Sequence, residues 1–296
     1  MKPRRHHRIA NILGHLPYRL ALAGGWIDQP FVSQHNPAPP GSMVVVCVEP
    51  EFWFMERAGI CIGTRNIAQK LWHGVLPEGD PEQLVQQLYE EENRGKAEPS
   101  GSQDMIGLVY PGVSRLDYDF AHRGGIFPRH IESSNDPQVA RWLERVIHIL
   151  PVNQRPEGYN PLEIKNLDRD WIGRLGQSGR DCYDAIVARD LAALGESMNE
   201  CMRCWEALLP GTVCHRTIQI DLMALLACYQ SLPRRHVLRL RRRLPLRGLG
   251  GPRSRLVRNQ GENQAVMSDA MQYAVVHGGL YAEPEIERIR PDMYAR

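Results

Sequence analysis

The chain has 296 residues, of which 43% are hydrophobic and 24% are charged, and its formal net charge is +2. This composition is ample for a packed core, in one large domain or two modest ones, and argues against a chain that is disordered throughout. The longest apolar runs, 43–48 and 222–228, are far too short to span a bilayer. We therefore expect a folded protein without a membrane anchor.

The N-terminus and the cysteines both favour a cytoplasmic protein. The basic start at 2–8 precedes a stretch that imitates a signal peptide, but His15, Pro17 and Arg19 interrupt its apolar part. Seven cysteines without a repeating spacing are more typical of a reducing compartment than of a disulfide scaffold. The one close pair, Cys201 and Cys204, lies in a strongly helical pattern, where ordinary packing is a better interpretation than a zinc or redox site.

The first half of the chain alternates strands and helices. Its opening strand, 17–23, ends in paired glycines followed by Asp28, and a Pro-rich loop covers 31–40. Two helices have the same start signal, an aspartate N-cap followed by proline. The predicted elements that follow are strands 43–48 and 51–56, helix 64–72, a helix from Asp80 to Asn93, strands 109–119 and 125–132, and a helix opened by Asp136.

The second half is predicted to be mainly helical. After an irregular stretch at 151–161, helices are expected over 179–189, from Asp190 to Leu209, and over 217–229. Apolar residues recur in two of these segments at the spacing of one helical face. The residues of these two faces are Val139, Trp142, Leu143, Val146 and Ile147 in the helix after Asp136, and Leu191, Leu194, Met198, Cys201, Met202, Trp205, Leu208 and Leu209 in the helix after Asp190.

Three short segments combine glycines with polar groups near the beginning of a turn or helix. They are 17–30, which contains Gly24-Gly25-Trp26-Ile27-Asp28 near its end, then 59–66, and then 100–104. Glycine lets the backbone approach a ligand closely, and the N–H groups at a helix N-terminus form a natural anion site. The order of these segments along the chain resembles the GHMP small-molecule kinases, such as galactokinase, homoserine kinase and mevalonate kinase, and most of all their sugar and heptose kinase branch.

The resemblance covers about residues 10–230 and implies a fold and a reaction. The implied fold is α+β, with a GHMP kinase-like N-terminal sheet-and-helix domain (ribosomal protein S5 domain 2-like) over 10–165 and an incomplete ferredoxin-like C-terminal domain whose helical part is 166–230. The implied reaction is ATP-dependent phosphorylation of a hydroxyl on a sugar or similar metabolite, with ATP and Mg²⁺ as cofactors.

The segment 59–66 resembles the phosphate loop of the family, with a departure. The family sequence is Gly-Leu-Gly-Ser-Ser-Ala, and only Gly63 and the hydroxyl of Thr64 match it. By resemblance, Gly63, Thr64 and Arg65 bind phosphate, and Thr64 also faces the metal. A guanidinium recognises phosphate well, but Arg65 could equally be an ordinary helix residue.

The segment 100–104 supplies the implied catalytic group. By resemblance, Asp104 is the carboxylate that faces the acceptor hydroxyl, as base or as orienting group, while Gln103, Asp28 and Arg19 contact the substrate. The family's magnesium-binding glutamate aligns with Glu92, or alternatively with Glu90. The structural alternatives are a capped loop at 100–104 and a solvated helix face for the glutamates.

One region does not fit this pattern. Residues 234–258 contain ten arginines, and no acidic residue occurs over 222–261. The family requires a glycine-rich third motif here. Codons compatible with 232–245, read one base later, permit Ser-Gly-Cys-Gly-Gly-Gly, so we hypothesise a frameshift near codon 231. Sequencing codons 226–262 from independent clones tests this, since an extra or missing base would restore the motif.

The frameshift hypothesis makes 231–264 an aberrant, disordered segment and leaves 265–296 as a tail of unassigned role. Two rival functions remain. One is a kinase relative that binds nucleotide or sugar without turnover. The other is a nucleic-acid-associated protein acting through 234–258, whose binding would weaken steeply with salt. The sugar, the phosphorylated hydroxyl and the oligomeric state are not specified by the sequence.

Overall fold

A computed structural model of the chain describes residues 16–48, 61–96, 99–149, 160–213 and 287–288. Its main feature is a four-stranded antiparallel sheet in the order β1-β2-β3-β4. A two-stranded ribbon joins β5 to β6. The strands are β1 Tyr18–Ala23, β2 Gly41–Val48, β3 Val113–Tyr118, β4 His130–Ser134, β5 His148–Ile149 and β6 Glu287–Arg288.

Seven α-helices are found in the described part of the chain, together with two short 3₁₀ turns at Arg123–Gly125 and Pro210–Thr212. The helices are α1 Pro30–Ser33, α2 Ile62–Trp72, α3 Pro81–Asn93, α4 Gln103–Val109, α5 Pro137–Val146, α6 Arg169–Ala188 and α7 Leu191–Leu208. Within the described ranges, none of these helices combines the length and apolar composition that a bilayer crossing requires.

Two helices begin where the aspartate–proline signals in the sequence predict. The Asp80 and Asp136 carboxylates accept hydrogen bonds from the N–H groups of Glu82 and Gln138, and Pro stands at the first helical position in both cases. The predicted apolar faces of α5 and α7 are buried except for Leu191 and Met198, which are half-buried. Side-chain caps and the 3.6-residue period therefore define these helices locally.

Several predicted bounds were wrong. The predicted loop 31–40 overlaps the short helix α1, and the strand predicted over 109–119 begins only at Val113, because α4 continues to Val109. The helix predicted from Gly179 begins ten residues earlier, where Asp168 caps it by accepting from the N–H of Trp171. The predicted elements 51–56 and 217–229, most of the irregular stretch, and the arginine segment lie outside the described residues.

The sheet separates two helical layers. The pairing of β1 with β2 and of β2 with β3, together with the alternation of side chains, puts Arg19 and Tyr118 on one face and Arg115 on the other. The first face meets α4, which packs with α2 and α3, and the second face meets α6, with α7 behind it. Residues of all these elements share one hydrophobic core.

The mixture of helices with an antiparallel sheet confirms the α+β prediction. Helices α6 and α7 follow the domain boundary predicted at 165, yet they pack directly on the sheet formed before it. The division into domains and the ferredoxin-like second domain stay predictions.

Candidate active site

The carboxylate of Asp104 lies in the first turn of α4 and contacts residues from two other predicted motifs. Its Oδ1 forms an ion pair with Nη2 of Arg19, a β1 residue. Its Oδ2 accepts a long hydrogen bond of 3.4 Å from the Thr64 hydroxyl, in the first turn of α2. Three segments far apart in the chain thus meet at one carboxylate.

Arg19 reaches Asp104 across a glycine. Its side chain is 1% exposed, compared with 20% for that of Asp104. A Cβ at Gly107 of α4 would collide with the Arg19 stem, so glycine is required for the helix to cross β1 at this distance. The Arg19 backbone N–H donates to Sγ of Cys61 over 3.1 Å, and this bond ties the start of α2 to the same strand.

Asp28 joins the cluster from the turn after β1. Its side chain is buried, and Nε2 of Gln29 donates to its Oδ2 over 3.4 Å. A Cβ at Gly101 would collide with this carboxylate. The loop that leads to Asp104 therefore lies directly against Asp28, and Gly101 is the residue that permits the approach.

A buried tyrosine lies beneath these carboxylates. The hydroxyl of Tyr118, on β3, hydrogen-bonds with that of Ser102 over 3.0 Å, and Ser102 donates to the carbonyl of Ile126 over 2.7 Å. Burial, followed by the negative charge of Asp28, raises the pKa of Tyr118 well above its ordinary value, against the opposing effects of Ser102 and Arg19. The phenol therefore stays neutral and acts as a structural hydrogen-bonding group.

The start of α2 has features of an anion site. Cys61 adopts a left-handed conformation at the N-cap without a side-chain cap, and the first turn carries no acidic residue. Gly63 is exposed, and no atom of the described chain lies within 4 Å of the position where its Cβ would be. Backbone N–H groups at such a helix end attract phosphate oxygens.

Arg65 points elsewhere. Its side chain is buried, Nε donates to the carbonyl of Leu16 over 3.2 Å, and the guanidinium lies 4.4 Å from the centroid of the Tyr18 ring. These contacts hold α2 against the beginning of β1. The phosphate role of Arg65 stays a prediction, and its contacts favour the alternative of a structural residue.

The two candidate magnesium ligands on α3 differ in environment. Glu90 is exposed and accepts from Gln86 over 2.6 Å. Glu92 pairs with Lys96 over 3.5 Å through Oε1, while its buried Oε2 has no hydrogen-bond partner among the described residues. The geometry therefore favours Glu92 over Glu90 as a ligand. No group of three or more His, Cys, Asp or Glu side chains suited to a metal was found in the described ranges.

Gln103 provides a second buried oxygen without a partner. Its side chain is 7% exposed, and its Oε1 accepts no hydrogen bond from the described residues. An unsatisfied buried acceptor costs stability, about 1–3 kcal/mol. Such a cost is understandable where a ligand supplies the missing donor.

The donor set fits the implied cofactors. Thr64 Oγ1 and the Asp104 carboxylate, which are in contact, are oxygen donors of the kind that Mg²⁺ prefers, and Mg²⁺ is commonly held by few protein ligands together with phosphate oxygens. Glu92 Oε2 is a third such oxygen, but among the described residues Glu92 pairs with Lys96 and not with Thr64 or Asp104. The open turn at Gly63 supplies backbone donors for a phosphate. The residues present are therefore compatible with a bound magnesium nucleotide.

Four residues that support the site were missed in the sequence: Cys61, Ser102, Gly107 and Tyr118. Cys61 and Ser102 lie inside recognised motifs, so their proximity to Thr64 and Asp104 was the available signal. Gly107 and Tyr118 gave no signal, because a helix glycine and a strand tyrosine acquire their roles only from packing.

Comparisons with known proteins are limited to structural similarity. No family model matches the chain, and no curated protein does. Similar solved structures include a provisionally assigned sugar kinase from Campylobacter jejuni (12% identity, 64% of this chain and 73% of the other, TM-score 0.39) and a mevalonate kinase (9%, 65% and 78%, TM-score 0.36).

A third similar structure is the mevalonate diphosphate decarboxylase from Enterococcus faecalis, which is described by its mevalonate diphosphate-mediated ATP binding. It shares 12% identity over 93% of this chain and 98% of the other, with a TM-score of 0.33. All three TM-scores lie below 0.5, so the similarity does not assign the chain to a family.

Proposed function

We propose that this chain is an ATP-dependent phosphotransferase of the GHMP type that its motifs resemble, acting on a hydroxyl of a sugar or sugar-like metabolite. The observation that carries the proposal is the position of Asp104. Its carboxylate lies at the start of α4, between Arg19 and Thr64. It therefore adjoins the helix end at Gly63 that can receive phosphate.

Such a reaction requires little covalent work from the protein, since phosphoryl transfer depends mainly on positioning and electrostatic stabilisation. Asp104 accepts the hydrogen bond of the acceptor hydroxyl and orients its oxygen toward the phosphate. The ion pair with Arg19 fixes the carboxylate. One oxygen keeps a long, replaceable bond with Thr64.

Asp28 and Gln103 are proposed to hold the acceptor molecule. Gln103 has a buried carbonyl oxygen that lacks a donor among the described residues, and Asp28 is a buried carboxylate against the same loop. Both are acceptors suited to hydroxyl groups, so a polyhydroxylated ligand matches their chemistry. Arg19 acts through Asp104 in this scheme.

The nucleotide is proposed to bind with its phosphates at the first turn of α2. Gly63 and Thr64 would contact the phosphates, and Thr64 with Glu92 would hold Mg²⁺, which supplies neutralisation of phosphate charge when bound. The absence of the glycine-rich third motif from the sequence makes turnover by this polypeptide the point to test.

The test is an assay of ADP formation by the full chain with ATP, Mg²⁺ and a panel of sugars and polyols. Asp104→Asn should lower transfer about 10²- to 10⁴-fold, while ATP binding measured by calorimetry persists. Asp136→Asn is the matched control, because asparagine also caps a helix and Asp136 lies at the start of α5.

Unchanged turnover in Asp104→Asn would overturn the catalytic assignment. Binding of ATP by the parent chain without transfer to any acceptor would favour the rival of a kinase relative that binds but does not turn over. Binding of nucleic acid that falls steeply with salt would favour the basic segment as the functional element.

A further inference from the structure

The turn that carries Asp28 is held in place by α7, a helix about 180 positions away in the chain. The indole Nε1 of Trp205 donates to the carbonyl of Gly25 over 3.0 Å. The backbone N–H of Gly24 donates to Sγ of Cys201 over 3.2 Å. Both side chains are buried, so these bonds are shielded from competing water.

The fit between turn and helix depends on both glycines. Gly24 has a φ of +76°, and a Cβ there would collide with the carbonyl of Ser42. Gly25 has no such backbone requirement, but a Cβ there would lie 3.0 Å from Cζ2 of Trp205, which is closer than most carbon contacts. The indole therefore both bonds to the turn and sets its distance from α7.

The turn contains a strained residue. Trp26 has a φ of 80°, which is unfavourable for a bulky side chain. Two backbone bonds close the turn, from the N–H of Ile27 to the carbonyl of Gly24 and from the N–H of Gln29 to the carbonyl of Trp26. A strained conformation persists only where its surroundings impose it, and α7 provides the two bonds at its beginning.

We propose that Trp205, with Cys201, is a positioning residue that fixes the Gly24–Gln29 turn and thereby holds Asp28 against the Gly101 loop of the site. The inference rests on the proposed function only in assigning Asp28 to the acceptor molecule. The thiol is suited to the role of acceptor, because burial raises the pKa of Cys201 to about 12 and keeps it protonated.

The test compares Trp205→Phe with Trp142→Phe in the full chain. Phenylalanine keeps an aromatic ring but removes the indole donor, and Trp142 is a buried tryptophan on α5 that serves as the control. Hydrogen exchange of the peptide containing 24–29 should become at least about fivefold faster in Trp205→Phe and remain unchanged in Trp142→Phe. Equal exchange in both variants would overturn the proposal.

A second measurement links the turn to Asp28 without any assay of activity. Asp28→Asn is combined with each tryptophan variant, and the midpoints of thermal unfolding are compared. Sites in contact or coupled through the backbone give non-additive shifts, whereas distant sites add. We expect non-additivity with Trp205→Phe and additivity with Trp142→Phe. Additivity with both would show that Trp205 does not position Asp28.

With an acceptor identified, Trp205→Phe should raise its KM more than that of ATP. Equal changes in both values would count against positioning of Asp28. If no compound accepts phosphate, the proposed function fails, while the exchange and unfolding measurements still decide the role of Trp205. Should Trp205→Phe fail to fold, Cys201→Ala removes the other bond to the turn and is measured in the same way.

Discussion

The two faces of the sheet handle buried polar groups differently. On the α6 side, Ser42 donates to Asp117 over 2.6 Å, and Arg115 binds both Asp117 and Glu132. On the α4 side, buried oxygens of Glu92 and Gln103 lack partners within the described residues. A folded chain gains stability by satisfying such groups, so among the described residues the buried oxygens on the α4 side lower stability, whereas the named groups on the α6 side are satisfied.

Backbone strain occurs on both sides of the sheet. Trp26 and Cys61, both with positive φ, flank the predicted motifs, and Arg189, with a φ of 60°, ends α6. Helices α6 and α7 begin with side-chain caps from Asp168 and Asp190, whereas α2 has none. Unsatisfied buried groups often lie at functional sites, so the buried oxygens of Glu92 and Gln103 and the uncapped start of α2 are the features that favour the α4 side as the candidate site.

The largest expected effect comes from the buried ion pair. Arg19→Met removes a nearly inaccessible guanidinium and leaves Asp104, which is 20% exposed, without its partner. We expect a loss of about 3 kcal/mol in the free energy of unfolding, at the lower end for a buried pair because Asp104 retains some water. Urea denaturation measures it.

The matched variant on the other side of the molecule is Arg203→Met. Arg203 pairs with Glu196 and Glu200, but its side chain is 43% exposed. Exposed pairs contribute no more than about 1 kcal/mol. Similar losses in the two variants would contradict the view that the charge at Arg19 is buried and dependent on Asp104.

An intermediate effect is expected from glycines of the α4 side. Gly107→Ala adds a methyl group that would collide with the aliphatic part of the Arg19 side chain, and overpacking of this kind costs about 1–3 kcal/mol. The added methyl group of Gly63→Ala meets no atom of the described residues, so the gain in helix propensity should stabilise the chain by up to about 1 kcal/mol. Thermal unfolding of both variants measures the difference.

The proposed phosphate site leads to a further prediction for Gly63→Ala. Gly63→Ala should weaken ATP binding, because the added methyl group occupies the space left for the phosphates. Unchanged affinity in a variant of normal stability would show that α2 does not bind the nucleotide through this turn.

The smallest expected effect is the pH dependence contributed by Glu200 on α7. Burial is the largest single influence and raises its pKa, but the hydrogen bonds and positive charges of Arg174 and Arg203 together outweigh burial and lower the pKa from 4.5. A lowered folded-state pKa contributes stability above the unfolded value that is lost as the pH falls through the folded value. Glu200→Gln should remove this acid-side slope.

The Glu200 contribution should stay below about 1 kcal/mol, since its partners Arg174 and Arg203 are 48% and 43% exposed and solvent screens both ion pairs. Comparison of unfolding at pH 7 and below pH 4.5 in both proteins measures it, and repetition in 1 M salt should diminish it. A slope that survives the substitution would have to arise from other carboxylates.

Local signals predicted much of the fold. The aspartate–proline pairs at 80–81 and 136–137 placed two helix starts correctly, because a cap is a contact between neighbours in the chain. Apolar periodicity also predicted the buried faces of α5 and α7, because the 3.6-residue repeat of a helix is a property of the local sequence. The start of α6 was missed, although Asp168 is a similar cap, because no proline marks it and glycines interrupt the pattern.

The sequence by itself determined the α+β class, the helix starts after Asp80, Asp136 and Asp190, and the identity of candidate groups such as Asp104, since these follow from local propensities and from motifs. The tertiary structure alone decided that Arg19 pairs with Asp104 and that Trp205 holds Gly25. These partners lie 85 and 180 positions apart. Contacts at such separations depend on how strands and helices pack, which no local pattern specifies.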